Sequence, residues 1–257
     1  MFEPGYVEDA LYTVVARRPV TPVIVELRLK PCAEAMRFRA GQFVELCDPA
    51  HALPLRSYSV ANAPRADGQI TLLVTRVAHG ATSLWLHDKL RPGDEVSLSG
   101  PYGTFLVDTG AARPLLLLSA GSGLAPARAL AEAALEARPD RRLSLFFSAR
   151  TAADAIDRQT YEAWQQLFPG YRYLLTLTRD TAAPLQGRIP SLLPTLFRQL
   201  ADHEVFISGP PAFVAACVDA ALRLGAPRAR VHAEAFFREP QPWSERTGTE
   251  EEEYRHG

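Results

Sequence analysis

The sequence predicts two domains of different class: an antiparallel β-barrel or sandwich, then an α/β doubly wound parallel five-stranded sheet. Three observations carry this. Residues 1–108 hold many short β-type runs broken by glycine and proline. Residues 109–238 alternate apolar runs with helical patterns. With 47% hydrophobic and 22% charged residues over 257 positions, the chain can bury two cores of ordinary size.

In the first domain the expected strands are Leu11–Val15, Val23–Leu29, Gln42–Cys47, Tyr58–Ala61, Ile70–Arg76 and Glu95–Leu98. Gly41, Pro64, Gly68, Gly93 and Gly100 punctuate them. One helix is expected at Ser83–Leu90, stopped by Pro92-Gly93. Asp108–Arg113 reads as the join. Leu115–Ser119 lacks polar alternation, as a strand buried on both faces should. A helix at Pro126–Ala137 follows, then strand Leu143–Ser148 and a helix at Ala153–Phe168. Strand Arg172–Thr178, helix Ser191–Leu200, strand Val205–Ser208, helix Ala212–Leu224 and strand Arg230–Phe236 complete the succession. Residues 239–257 carry Glu250–Glu253 and read as an acidic flexible tail.

Bulk properties exclude several classes. A net charge of -1 gives no reason to expect nucleic acid or a membrane surface as partner. The aliphatic run Leu115–Leu118 is far too short for a membrane span. Glu3, Glu8 and Asp9 leave no basic or apolar leader, so a cytoplasmic protein is expected. The three cysteines, Cys32, Cys47 and Cys217, suit neither a disulfide framework nor a four-cysteine iron–sulfur cluster. No metal site is expected, because His79 and His87 lack ligand spacing.

Two stretches carry chemistry. Arg56-Ser57-Tyr58-Ser59 puts a fixed cation and an aromatic ring on one strand face and two hydroxyls on the other. A guanidinium clamps phosphate bidentately and a tyrosine ring offers a stacking surface, so the pair suits a planar ring linked to phosphate, as in a flavin dinucleotide. Gly121-Ser122-Gly123 joins an apolar strand to a helix. It is equally readable as a structural turn or as a phosphate turn at a helix N-terminus. Pro126 stands where the third glycine of a dinucleotide fingerprint belongs, and Ala120 where the first glycine of a nucleophile elbow belongs. Ser208-Gly209-Pro210-Pro211, at a strand end, leaves room for a bulky ring.

Taken in order, these stretches resemble motifs of the ferredoxin–NADP reductase superfamily. Arg56-Ser57-Tyr58-Ser59 is similar to its Arg-x-Tyr-Ser motif, and Gly80-Ala81-Thr82-Ser83 to its Gly-x-x-Ser loop. Gly100-Pro101-Tyr102-Gly103-Thr104-Phe105 resembles its Gly-Pro-x-Gly-x-Phe. Gly121–Pro126 resembles its Gly-Thr-Gly-x-Ala-Pro turn, Ser208–Pro211 its Cys-Gly-Pro-Pro, and Val231–Phe236 its closing strand. The resemblance implies an antiparallel Greek-key β-barrel for FAD followed by a parallel sheet for NAD(P).

It also implies roles. Arg56 binds the FAD pyrophosphate, Tyr58 stacks on the isoalloxazine and Ser59 bonds near flavin N5. Ser57, Val74, Gly80, Thr82 and Ser83 complete the FAD set, the last two through phosphate contacts. Gly121, Ser122, Gly123 and Pro126 form the nucleotide turn, with Gly209 and Pro210 beside it. Ser208 faces the nicotinamide C4, Glu234 is a charge or proton partner, and Phe236 or the adjacent Phe237 covers the flavin. Arg150, Thr178 and Arg179 are candidates for a 2′-phosphate, which leans the cofactor choice to NADPH over NADH; Asp180 beside Arg179 opposes it.

The implied activity is an FAD-dependent NAD(P)H reductase. It feeds single electrons to a separate ferredoxin, flavodoxin or oxygenase component. A free-flavin or small-molecule reductase, and a regulatory or electron-transfer subunit that keeps the fold, are the alternatives. Two departures stand out: Ser208 replaces the family's cysteine, and the chain continues past Phe236.

Overall fold

A computed structural model describes residues 5–180 and 185–236. Its first half is a six-stranded antiparallel sheet of β1 (Val7–Thr21), β2 (Ile24–Pro31), β3 (Phe43–Cys47), β4 (Arg56–Ser59), β5 (Ile70–Thr75) and β6 (Glu95–Tyr102), with helix α1 (Ala81–Asp88) between β5 and β6. The order β4-β3-β6-β1-β2-β5 is a Greek-key arrangement. A single antiparallel bridge, Val60 to Leu72, brings the two edges together into a nearly closed barrel. Tyr12, Leu27, Leu29, Leu46, Ile70 and Leu72 fill it.

β1 is far longer than the expected Leu11–Val15. Val7–Thr13 pair with β6 and Tyr12–Thr21 with β2, so β2 holds Arg17-Arg18-Pro19, which reads locally as loop. Register shifts at Val14/Ala16 and Pro19/Thr21 absorb the irregularity.

The second half alternates β7 (Leu115–Ala120), α2 (Leu124–Ala137), β8 (Leu143–Ala149), α3 (Arg158–Leu167), β9 (Tyr171–Leu177), α4 (Ile189–Leu196), β10 (Glu204–Gly209), α5 (Pro211–Arg223) and β11 (Val231–Ala235). The sheet is parallel in the order β11-β10-β7-β8-β9. Strand order reverses between β7 and β10, which opens a crevice at their carboxyl ends. Helices α2 and α3 cover one face and α4 and α5 the other.

Two helices differ from expectation. Ala153–Phe168 splits into a short turn at Ala152–Asp154 and α3. The break is Asp157, left-handed at φ 43° and gripped by Arg18 of the barrel through two 2.8 Å bonds. A tertiary partner thus overrides the helical period, at a residue type that tolerates this conformation. The helix expected at Ser191–Leu200 begins earlier and stops at Leu196, with Pro190 in its first turn and Pro194 inside it. The predicted acidic tail lies outside the described residues.

The halves share a core. Ile24, Ala61, Leu73, Phe105 and Val107 of the first pack with Leu117, Leu130 and Phe206 of the second. Arg128 bonds Glu26 at 3.0 Å, and the Ala63 amide donates to Glu132 at 2.9 Å. These contacts fix the orientation of the two walls of the crevice.

Candidate active site in the crevice between the barrel and the parallel sheet

The barrel wall is β4. It pairs with β3 so that Tyr58 sits opposite Val44 and Ser59 opposite Phe43. Tyr58 therefore leans on the barrel core, half-buried, and Ser59 turns to the other face. Burial pushes the Tyr58 hydroxyl above its usual range, partly offset by Arg56. Arg56 and Ser57 are exposed, and one Arg56 nitrogen donates to the Leu55 carbonyl at 2.7 Å.

α1 starts directly after Gly80. Thr82 and Ser83 are buried, and their hydroxyls are already used. Thr82 donates to the Pro54 carbonyl at 2.5 Å and Ser83 to the Gly80 carbonyl at 3.0 Å. These bonds brace the loop beside the phosphate contacts expected of both residues, and the helix start offers main-chain N–H groups there as well. A Cβ on Gly80 would lie 2.7 Å from the Ser83 hydroxyl, so the glycine makes room for this bracing. Val74, expected in the FAD set, lies in β5. Its side chain is fully buried in the barrel core, and its carbonyl accepts from His87 at 2.9 Å.

The sheet wall is built from backbone. Gly121–Gly123 forms one 3₁₀ turn that runs straight into α2. Gly121 has φ +58° and open space where a Cβ would stand. Gly123 is different: a Cβ there would lie 2.3 Å from the Ser208 carbonyl oxygen. Pro126 is buried in the first turn of α2, where its missing N–H is not needed. Gly209 has φ +149° and is hemmed in by Ala120 and Phe213. Pro210 caps α5.

Across β7, β10 and β11 runs a polar row: Ser119, Ser208 and Glu234 are register partners on adjacent strands. Ser208 donates to the Gly123 carbonyl at 2.7 Å and is buried. The Ser119 hydroxyl is buried with no partner among the described residues. Glu234 accepts a bond from the Ser59 hydroxyl at 3.4 Å, which joins the two walls. Its second oxygen is buried and has no partner among the described residues. Burial pushes this carboxyl up to about 7, with the Ser59 bond pulling back.

Phe236 follows β11, half-buried, and its amide donates to the Gly209 carbonyl at 2.8 Å. Phe237 lies outside the described residues. Arg150, Thr178 and Arg179 are exposed at the ends of β8 and β9. The Arg179 amide bonds the Arg150 carbonyl at 2.8 Å, and the Thr178 hydroxyl is turned back to Ala149 at 3.3 Å.

Ser119 and the Ser208–Gly123 bond escape the sequence reading. A signal for Ser119 exists: it is the polar residue that follows four leucines in β7. Two surface depressions, of about 340 and 450 Å³, lie elsewhere and include none of these residues.

The crevice fits a flavin and a dinucleotide. It combines an exposed guanidinium, a half-buried ring, a glycine turn with an open side, and buried polar atoms with no partner among the described residues. The class so defined is a two-domain NAD(P)H-dependent flavoprotein oxidoreductase. Comparisons agree. The model for the oxidoreductase FAD-binding domain matches residues 20–106, and that for the oxidoreductase NAD-binding domain matches residues 117–219. Ferredoxin–NADP reductase B of Sorangium cellulosum is 35% identical over 87% of this chain and 96% of its own. The reductase component of a Pseudomonas phenol 2-monooxygenase is 31% identical over 82% of this chain. This chain covers 61% of that component's length. An Amycolatopsis cytochrome P450 reductase superposes with a TM-score of 0.84 at 31% identity, covering 92% of this chain and 72% of that one. The chain belongs to the ferredoxin–NADP reductase superfamily, its barrel an FAD-binding domain and its parallel sheet an NAD-binding domain.

Proposed function

We propose that this chain is an FAD-dependent NAD(P)H reductase that delivers single electrons to a separate ferredoxin, flavodoxin or oxygenase component. The observation that carries the reading is the Ser59–Glu234 contact, which sets the Arg56–Ser59 strand against the end of β11, beside the β10 end that bonds the glycine turn. When bound, nicotinamide supplies a hydride to flavin N5 and the flavin splits the pair into single electrons.

The chain supplies position and protons. Arg56 and the N–H groups at the start of α1 hold the FAD pyrophosphate, and Tyr58 backs the ring. Gly121, Ser122 and Gly123 receive the nucleotide pyrophosphate, with Gly209 and Pro210 leaving space beside it. Glu234, held near 7, is half protonated around neutral pH and exchanges a proton at the crevice through Ser59. Phe236, pinned to Gly209, covers the flavin until nicotinamide arrives. Arg150 and Arg179, beside Thr178, attract a 2′-phosphate and favour NADPH.

The Sorangium relative, named a ferredoxin–NADP reductase and matched over 96% of its length, supports this reading. The oxygenase reductase components support a separate acceptor protein. We place the domain limits at residues 1–108 and 109–238 and the protein in the cytoplasm. Among the described residues no helix is long and apolar enough to cross a membrane.

The test is an anaerobic titration of the purified yellow protein with NADPH and then NADH. Bleaching of the flavin band is expected with one or both. An unchanged spectrum with both nucleotides sinks the reading. FAD that stays with the protein through gel filtration separates it from a free-flavin reductase. Arg179→Ala is expected to lower kcat/KM for NADPH more than for NADH.

A further inference from the structure

We propose that Ser208 is a positioning residue for the dinucleotide turn: its hydroxyl clasps Gly123 and so holds the turn's N–H groups aimed at a pyrophosphate. The inference rests on the reading of Gly121–Gly123 as the NAD(P) turn.

Four observations point to the clasp. Ser208 is 1% exposed, and its bond to the Gly123 carbonyl is 2.7 Å, buried and 85 residues distant in sequence. The two main chains already touch there, since a Cβ on Gly123 would lie within 2.3 Å of the Ser208 carbonyl oxygen and 2.7 Å of the Gly209 nitrogen. Neither the 3₁₀ turn nor α2 has a side-chain cap of its own. The usual local device for fixing a helix start is therefore missing, and a strand end supplies the brace instead. On the ligand side the turn is open, with nothing near the Cβ position of Gly121. A turn braced behind and open in front is preorganised for an anion, so less affinity is spent on ordering it.

This changes the meaning of serine at this position. A thiol is a weak donor, whereas a hydroxyl donates a short bond. In this chain the exchange of cysteine for serine tightens the turn. The hydroxyl proton is donated to the Gly123 carbonyl. Ser119 is a second buried hydroxyl in the same row, with no partner among the described residues.

The test uses the FAD-loaded protein and two probes that contain the pyrophosphate but no nicotinamide: ADP-ribose and 2′-phospho-ADP-ribose. Their Kd is measured by calorimetry for wild type, Ser208→Ala, Ser208→Cys and the double variant Ser119→Ala/Ser208→Ala. Cysteine fills the position at least as fully as serine and donates only weakly, so a loss in that variant is not a loss of side-chain volume. We expect the tighter probe to bind roughly fivefold more weakly in both single variants, as for one lost hydrogen bond. The double variant is expected to be at least as weak. KM for NAD(P)H should rise more than kcat falls. If all variants bind like wild type, the clasp is overturned. If the cysteine variant binds like wild type and only alanine is weak, Ser208 acts by volume and the clasp is again overturned. If wild type binds neither probe, the nucleotide reading of the turn fails, and the clasp fails with it.

Discussion

The two walls of the crevice are made in opposite ways. The barrel wall presents side chains: Arg56 and Ser57 are exposed on a four-residue strand, while Thr82 and Ser83 spend their hydroxyls holding the neighbouring loop. The sheet wall presents backbone: a glycine turn pressed on a strand end, with a buried polar row beneath it. The lesson is that ligand contact and fold stability are separable on the first wall and fused on the second.

The largest test of that contrast is Glu234. Its carboxyl is raised from 4.5 to about 7 by burial. Between those values the folded chain holds a proton that the unfolded chain has released. Stability therefore falls as pH rises from about 4.5 to about 7, by at most roughly 3 kcal/mol. Glu234→Gln should flatten that slope and make the protein the more stable of the two above neutrality. Calorimetric Tm values from pH 5 to 8 check it, and an equally steep slope in the variant would break the contrast.

Arg56→Ala is the matching test on the other wall. Losing a charge-assisted phosphate contact costs about 1.5–3 kcal/mol of FAD affinity, roughly ten- to hundredfold. Because Arg56 is exposed, the Tm of the FAD-free protein should hardly move. FAD titration by fluorescence and a melting curve give both numbers. A large Tm loss without FAD would mean that this wall is as structural as the other.

Gly123→Ala sharpens the sheet side. The new Cβ meets main chain that cannot turn aside, at 2.3 Å. A stability loss of about 1–3 kcal/mol is expected, together with poor reduction by NAD(P)H. Gly121→Ala, in open space but at φ +58°, should cost less, roughly 1–2 kcal/mol. Equal Tm losses would erase the distinction between a glycine needed for room and one needed for its dihedral angles. Ser83→Ala is the smallest. It removes the bond donated to the Gly80 carbonyl and the one accepted from the Val77 amide, together worth about 1 kcal/mol or a little more, and should lower the Tm before it lowers FAD affinity at saturating FAD. A fall in FAD affinity without a Tm change would assign Ser83 to the phosphate alone.

Much of the architecture is legible in the chain. Leu115–Leu118 announces a strand buried on both faces, and the alternation of such runs with helical patterns announces the parallel sheet. Arg56–Ser59 and Gly121–Gly123 stand out by composition alone. What misleads is local pattern under tertiary control. β1 runs through Arg17-Arg18-Pro19 because β2 pairs with it there, and α3 starts late because Arg18 holds Asp157 in a left-handed conformation. Val74 shows the same limit on the site. Its strand is predictable, but only the closed barrel shows that its side chain points into the core.

By itself the sequence determined the periods, the turns and the kinds of chemical group at the crevice, because these depend on residues next to one another. Only the tertiary structure decided where each polar atom is spent. Ser59 reaches Glu234 across 175 residues and Ser208 reaches Gly123 across 85. A hydrogen bond over such a distance leaves no local trace in the chain. Burial beside it, which no residue carries alone, sets whether a carboxyl keeps its proton.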